Sequence, residues 1–339
     1  VTVRVGVIGA GMIGQDHVRR LTDVVAGAEV VAVADLDAER AARVAEAVGA
    51  RAAADGADLI GQSDVDAVVV TSWGPTHAEH VLAAIAAGKP VFCEKPLATT
   101  AEDCLRIVEA EQAFGRRLVQ VGFMRRYDAG YREMKRVLDA GEIGTPLMVH
   151  CAHRNATVPE SYHSEMAAQD TAVHEIDVLR WLLSDEIVSA QVLTPRSTGN
   201  RFPHLRDPQI MLFETAAGVR IDLEVFVNCQ YGYDIQCETV GETGLVRLPD
   251  PASPAVRTAG SSRVAVLQDW KQRFAAAFDV EFQEWIDTLA AGREPAGPSS
   301  WDGYAATVIT DATVEALHTG RVVGVTMKDR PAFYAGDAR

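Results

Sequence analysis

Val3-Arg4-Val5-Gly6-Val7-Ile8-Gly9-Ala10-Gly11-Met12-Ile13-Gly14 is the stretch whose reading decides the fold. Residues 3–8 are a short apolar run, as in a strand buried on both faces. Residues 9–14 read Gly-x-Gly-x-x-Gly, and 15–26 continue as a helix. In that setting Gly9 permits a tight turn, Gly11 lets backbone N–H groups approach a pyrophosphate, and Gly14 lets the helix pack close to the strand. Met12 and Ile13 belong to the same phosphate-facing turn. Residues 29–34 read as a second strand, and it ends in Asp35. An acid about 20 residues beyond the last glycine takes the adenosine ribose hydroxyls and repels a 2′-phosphate. The expected cofactor is NAD rather than NADP, with Arg40 and Arg43 able to weaken that preference. A bare glycine motif is a weak signal, because glycine turns are common. The strand, the helix and Asp35 together make it specific.

The alternation continues through helices at 38–48, 76–87 and 100–114 and strands at 65–71, 90–93 and 118–122. It predicts a doubly wound parallel sheet with ligands at the C-terminal strand ends. Two loops emerge there: 71–77, which carries Trp73, Pro75 and His77, and Glu94-Lys95-Pro96. Trp73 and Pro75 fit an apolar wall near a nicotinamide, although Trp73 fits plain core packing equally well. His77 begins a helix and fits a cap. From 123 the pattern changes. A helix at 129–140 leads to strands at 146–153, 187–193, 209–215, 219–228, 233–240 and 245–248, several without helices between them. That order predicts a largely antiparallel sheet, with a helix at 167–183 over one face. Ile221, Leu223, Val225 and Val227 alternate with Asp222, Glu224, Phe226 and Asn228, so the other face is mixed. A partly apolar open face predicts burial against another subunit. Residues 249–254 read as a loop, and helices at 276–290 and 301–319 close the chain. The expected fold class is α/β: a Rossmann domain over 1–122, then an α+β domain with an open-faced sheet over 123–339 for substrate binding and oligomerisation.

A length of 339 residues makes two domains the natural expectation, and 48% hydrophobic residues suffice for two cores. The formal net charge of −15 argues against a nucleic-acid or anionic-membrane surface. No apolar run reaches the roughly 18 residues of a membrane span, and no apolar leader precedes the first strand, so a cytoplasmic protein is expected. Cys93, Cys104, Cys151, Cys229 and Cys237 are odd in number and contain no Cys-x-x-Cys pair. They read as reduced, mostly buried thiols rather than as a zinc site.

Lys95 ends a buried strand between Glu94 and Pro96. A lysine taken bare is a surface residue. At this place in the fold its ammonium suits a hydrogen bond to a substrate hydroxyl and a developing alkoxide, with Glu94 as a structural partner. Asp170, His174 and Asp177 stand at i, i+4 and i+7, which on a helix is one face. A histidine one turn from a carboxylate suits a general base near neutral pH. Alone, Asp-x-x-x-His is weak, since surface and structural pairs share it.

Taken together, Gly9-Ala-Gly-Met-Ile-Gly14, Glu94-Lys-Pro96 and Asp170-x-x-x-His174-x-x-Asp177 resemble the Gfo/Idh/MocA oxidoreductase family. Phe123-Met-Arg-Arg-Tyr-Asp-Ala-Gly-Tyr131, His150-Cys-Ala-His-Arg-Asn155, Tyr231-Gly-Tyr-Asp-Ile-Gln-Cys237 and Trp301-Asp-Gly-Tyr304 are similar to its inositol branch, and the resemblance spans essentially the whole chain. It implies that Lys95, Asp170 and His174 form the catalytic group and that Arg125, His153, Asn155 and Tyr233 lie around a polyol. Read without it, His153 also fits a satisfied core histidine and Arg125 a domain-linking ion pair. Asp177 stays outside the catalytic group and orients the helix. The resemblance further implies NAD-dependent oxidation of myo-inositol at C2 to scyllo-inosose, without a metal, in a homo-oligomer, with a homotetramer favoured. Another inositol isomer or a pyranose is the runner-up substrate. A non-catalytic NAD-binding regulator is the alternative of another class, and the presence of Lys95, Asp170 and His174 argues against it. The segment 197–207 and the loop 249–263 are the least diagnostic.

Overall fold

The computed structural model describes residues 1–335, so 336–339, the end of the 123–339 segment, lie outside the described residues. The chain divides into two compact units. One is Val1–Phe123 with Phe278–Thr307 and the described residues from Lys328 onward; the other is Met124–Ala277 with Val308–Met327.

In the first unit, strands β1 (Val3–Ile8), β2 (Ala28–Ala34), β3 (Arg51–Ala52), β4 (Ala67–Val70), β5 (Val91–Glu94) and β6 (Val119–Gly122) form a parallel sheet in the order β3-β2-β1-β4-β5-β6. Helices α1 (Met12–Asp23), α2 (Ala38–Ala47), α3 (Gly56–Gly61), α4 (His77–Ala86) and α5 (Ala101–Phe114) link the strands. This is the expected doubly wound sheet. The short β3 and α3 are additions, too brief to show a period. Every residue of β4, β5 and β6 is buried, because helices cover both faces. Asp37, Asp55 and Thr100 cap α2, α3 and α5 by accepting from the N–H of Arg40, Asp58 and Asp103. Val3, Val5, Val7, Leu21, Val33 and Phe92 pack in one core with Phe282, Trp285 and Ile286. Strand order reverses between β1 and β4, which opens a crevice at their carboxyl ends.

In the second unit, α6 (Ala129–Asp139) precedes β7 (Pro146–Arg154) and α7 (Val173–Leu183). Then come β8 (Ile187–Leu193), β9 (Gln209–Thr215), β10 (Arg220–Phe226), β11 (Asp234–Gly241), β12 (Leu245–Arg247), β13 (Ala255–Thr258) and β14 (Ser261–Val264). Helices α8 (Trp270–Ala290) and α9 (Ser300–Thr319) contribute residues to both units, and β15 (Val323–Gly324) returns to the second. The sheet order is β12-β11-β7-β10-β9-β8-β15. Among the described residues of this sheet only β7 and β10 pair in parallel, so it is largely antiparallel, as expected. Val149, Cys151 and His153 of β7 and Ile221, Leu223 and Val225 of β10 point to the buried face. On the open face the acids are paired: Asp222 with His150, and Glu224 with Arg154 at 2.6 Å.

Two expectations change. Within the segment read as a loop over 249–263, β13 and β14 make a hairpin. Its turn residues Ala259 and Gly260 have φ of 49° and 74°. Such a turn usually announces itself as Asn-Gly or Asp-Gly, and Ala-Gly hides it. Of the helix at 167–183, Ala167–Ala172 winds as a π-helix and only Val173–Leu183 as an α-helix.

Candidate active site

The glycine turn is built by sterics. Gly9 has φ of +101°, and a Cβ there would lie 2.4 Å from the Ser72 nitrogen. A Cβ on Gly14 would lie 1.9 Å from the Gly9 carbonyl oxygen, so α1 seats directly on the turn. At Gly11 no described atom beyond its own chain neighbours lies within 4 Å of the Cβ position. Helix α1 begins there with no side-chain cap and no acid in its first turn among the described residues. Its first N–H groups are thus available to an anion. Met12 is exposed and Ile13 half-buried beside them. The Thr71 hydroxyl donates to the Gly9 carbonyl at 2.7 Å and ties the turn to the end of β4.

Asp35 accepts from the Ala10 N–H at 2.6 Å, from the Asp37 N–H at 2.8 Å and from Arg40. Burial pushes its carboxyl up, but Arg40 and the two backbone donors outweigh burial and hold it below the usual carboxylate range. Arg43 reaches Glu39 instead, at 3.9 Å. Open space at Gly11, an uncapped helix start and a half-buried acid just past β2 together fit a dinucleotide.

His77 holds the two loops at this edge. Its ring nitrogens lie 2.7 Å from the Pro96 carbonyl oxygen and 2.9 Å from that of Ser72. Trp73 is 73% exposed and Pro75 is exposed, so Trp73 is not a core residue. Glu94 is buried and Lys95 half-buried. One Glu94 oxygen lies 2.7 Å from His17 Nε2, and the other accepts the Lys95 N–H at 3.1 Å. Arg20 donates to His17 Nδ1 at 2.7 Å, so Nε2–H donates to Glu94. Sequence reading missed His17. Its one signal was a polar residue on a buried helix face.

In the second unit Asp170 is exposed on the π-helical segment, and His174 is half-buried in the first turn of α7. Asp177 differs from both in burial. It is fully buried and accepts two bonds from Arg126, with Nε at 2.9 Å. A π-turn closes i→i+5 bonds, so α-helical spacing does not carry across it to Asp170. The Arg126 pair anchors α7, in keeping with an orienting role for Asp177.

Arg125, His153 and Tyr233 come together around Glu175, a residue to which sequence reading gave no role. Arg125 Nη1 donates to Glu175 Oε1. His153 Nδ1 lies 3.0 Å from Glu175 Oε2 and 3.1 Å from Arg125 Nη2. The guanidinium stacks on Phe274 at 5.2 Å, and the Tyr233 ring stands edge-on to His153 at 5.6 Å. Arg125 is thus an ion-pair residue, with its acid inside the same unit. Burial raises the Glu175 carboxyl, yet Arg125 and His153 hold it below the usual range. Burial lowers His153 more than Glu175 raises it, so the ring is neutral at pH 7. Burial pushes Tyr233 up to about 12 against the pull of Arg125. Asn155 follows β7, half-buried, with its backbone paired to Phe226 and Cys229.

Residues 3–123 match the family model described as oxidoreductase family, NAD-binding Rossmann fold, and 135–325 match that of its C-terminal alpha/beta domain. The chain belongs to the Gfo/Idh/MocA oxidoreductase family. Among its relatives is inositol 2-dehydrogenase 3 of Saccharopolyspora erythraea, 74% identical over 99% of both chains. Inositol 2-dehydrogenase of Azotobacter vinelandii is 59% identical over 98% of this chain and 99% of its own. A crystal structure of myo-inositol dehydrogenase from Lactobacillus casei in complex with NAD(H) and myo-inositol superposes with a TM-score of 0.97 at 42% identity. That match covers 98% of this chain and 100% of the other. No helix among the described residues is long and apolar enough to cross a membrane.

Proposed function

We propose that the protein oxidises myo-inositol at C2 to 2-keto-myo-inositol (scyllo-inosose) with NAD as hydride acceptor. The observation that carries this reading is 74% identity, along the full chain, to an inositol 2-dehydrogenase. The electrostatics agree with a neutral substrate. Arg125 is already neutralised by buried Glu175, so it offers no spare charge to a sugar acid or phosphate. The turn at Gly9, Gly11, Met12, Ile13 and Gly14 would hold the pyrophosphate and Asp35 the ribose, with Trp73, Pro75, His77, Glu94 and Lys95 toward the nicotinamide. Bound NAD supplies the hydride acceptor. His174 takes the proton from the reacting hydroxyl, Asp170 stabilises the charged imidazole, and Lys95 hydrogen-bonds the oxygen as it becomes a carbonyl. Arg125, His153, Asn155 and Tyr233 position the ring.

NADH appearance across a panel of inositols and pyranoses tests this. Myo-inositol should give the highest kcat/KM. A different polyol ahead by about tenfold replaces the substrate, and silence across the whole panel favours the non-catalytic regulator. NADP should be at least about tenfold poorer than NAD, a difference of about 1.4 kcal/mol. Arg40→Ala should widen that gap, because Arg40 is the one cation paired with Asp35 among the described residues. Equal kcat/KM for the two dinucleotides would remove Asp35 from its assigned role.

We also propose a homo-oligomer, a tetramer by the family resemblance. Leu147, Met148, Val188 and Leu193 lie exposed on strands of the second sheet, apolar side chains of the kind that subunits cover. A monomer by light scattering at micromolar concentration sinks this. Four of the five free cysteines are buried, which suits a reducing cytoplasm. Recovery from the cytoplasmic fraction of the source cells tests the location.

A further inference from the structure

We propose that Glu175 is a positioning residue for substrate binding: it holds His153 as the Nδ1–H tautomer, so that Nε2 accepts a hydrogen bond from a hydroxyl of the polyol. The proposal rests on the polyol reading above. A carboxylate can only accept, and its Oε2 stands 3.0 Å from His153 Nδ1. Arg125 donates Nη1–H to Oε1, so one carboxylate serves both the guanidinium and the imidazole. The opposite tautomer would let Nδ1 accept from Arg125 Nη2 at 3.1 Å. It would also set the Nδ1 lone pair against the Glu175 oxygen, with Glu175 and His153 1% and 3% exposed. In so dry a place that repulsion is weakly screened, while a charge-assisted N–H···O bond is strong.

Both hydrogen-bond contacts of the ring among the described residues run through Nδ1. The neutral ring therefore meets a ligand through the lone pair on Nε2. A hydroxyl satisfies that lone pair by donating; a methyl ether, a deoxy carbon or a ketone oxygen cannot. The site thus selects for a free hydroxyl at that position of the ring.

Neutron diffraction from deuterium-exchanged crystals of the NAD-bound enzyme reads the tautomer directly. A deuteron on His153 Nδ1 with Nε2 bare is the expected result. A deuteron on Nε2 alone, or on both nitrogens, overturns the proposal. Glu175→Gln adds a kinetic measurement. Its single carbonyl oxygen is claimed by Arg125, its NH₂ turns to Nδ1, and the tautomer flips. KM for myo-inositol should then rise about tenfold, with kcat within about threefold and the KM for NAD unchanged. A folded variant with wild-type KM overturns the proposal. Should the variant not fold, the deuteron position decides alone. Wild-type enzyme that oxidises no polyol would instead refute the functional reading, a result separate from where the deuteron lies.

Discussion

His174→Ala is expected to lower kcat for polyol oxidation by about 10²–10⁴-fold, with NAD affinity nearly unchanged. His174 belongs to the second unit, whereas the glycine turn and Asp35 belong to the first, so the substitution leaves the dinucleotide cradle intact. Asp170→Asn should cost less, because it changes the charge and orientation beside the base without removing it. Lys95→Ala should lower kcat strongly too, with the dinucleotide still bound. Oxidation by the wild type should fall on acidification as the base takes up its proton. Stopped-flow kinetics and NAD titration of the same preparations separate the two effects. Retention of more than about a tenth of kcat in His174→Ala would move the proton acceptor elsewhere, and Lys95 would be examined next.

Gly14→Ala and Gly11→Ala are expected to fail in different ways. The added methyl at 14 would sit 1.9 Å from the Gly9 carbonyl oxygen. No side-chain rotation relieves a clash with backbone, so α1 must lift from the turn at a cost of about 3 kcal/mol or more. The methyl at 11 enters open space, so thermal stability should hold. That space is where the pyrophosphate would lie against the N–H groups of α1, and the Kd for NAD should rise at least about tenfold. Thermal melts and NAD titrations of both variants check this. An unchanged melt for Gly14→Ala would contradict the turn geometry, and unchanged NAD binding by Gly11→Ala would take the pyrophosphate away from that turn.

The sequence by itself determined what depends on neighbours a few residues apart. Glycine sterics at 9, 11 and 14 and the apolar runs of β1 and β2 were legible because a tight turn and a buried strand constrain consecutive residues. The alternation along β10 likewise revealed which of its side chains are buried. Periodicity reports which face is buried, but not what lies across from it. Only the tertiary structure decided that Glu175 meets Arg125 and His153, from 50 and 22 residues away. It alone returned Phe282, Trp285 and Ile286 to a core shared with Val3, Val5 and Val7. It also wound Ala167–Ala172 as a π-helix, which breaks the helical spacing of Asp170 to the residues of α7, and it gave Asp177 to Arg126. Pairings of this kind are fixed by strand register and helix docking. Those depend on the packing of the whole unit, and no local stretch of sequence records them.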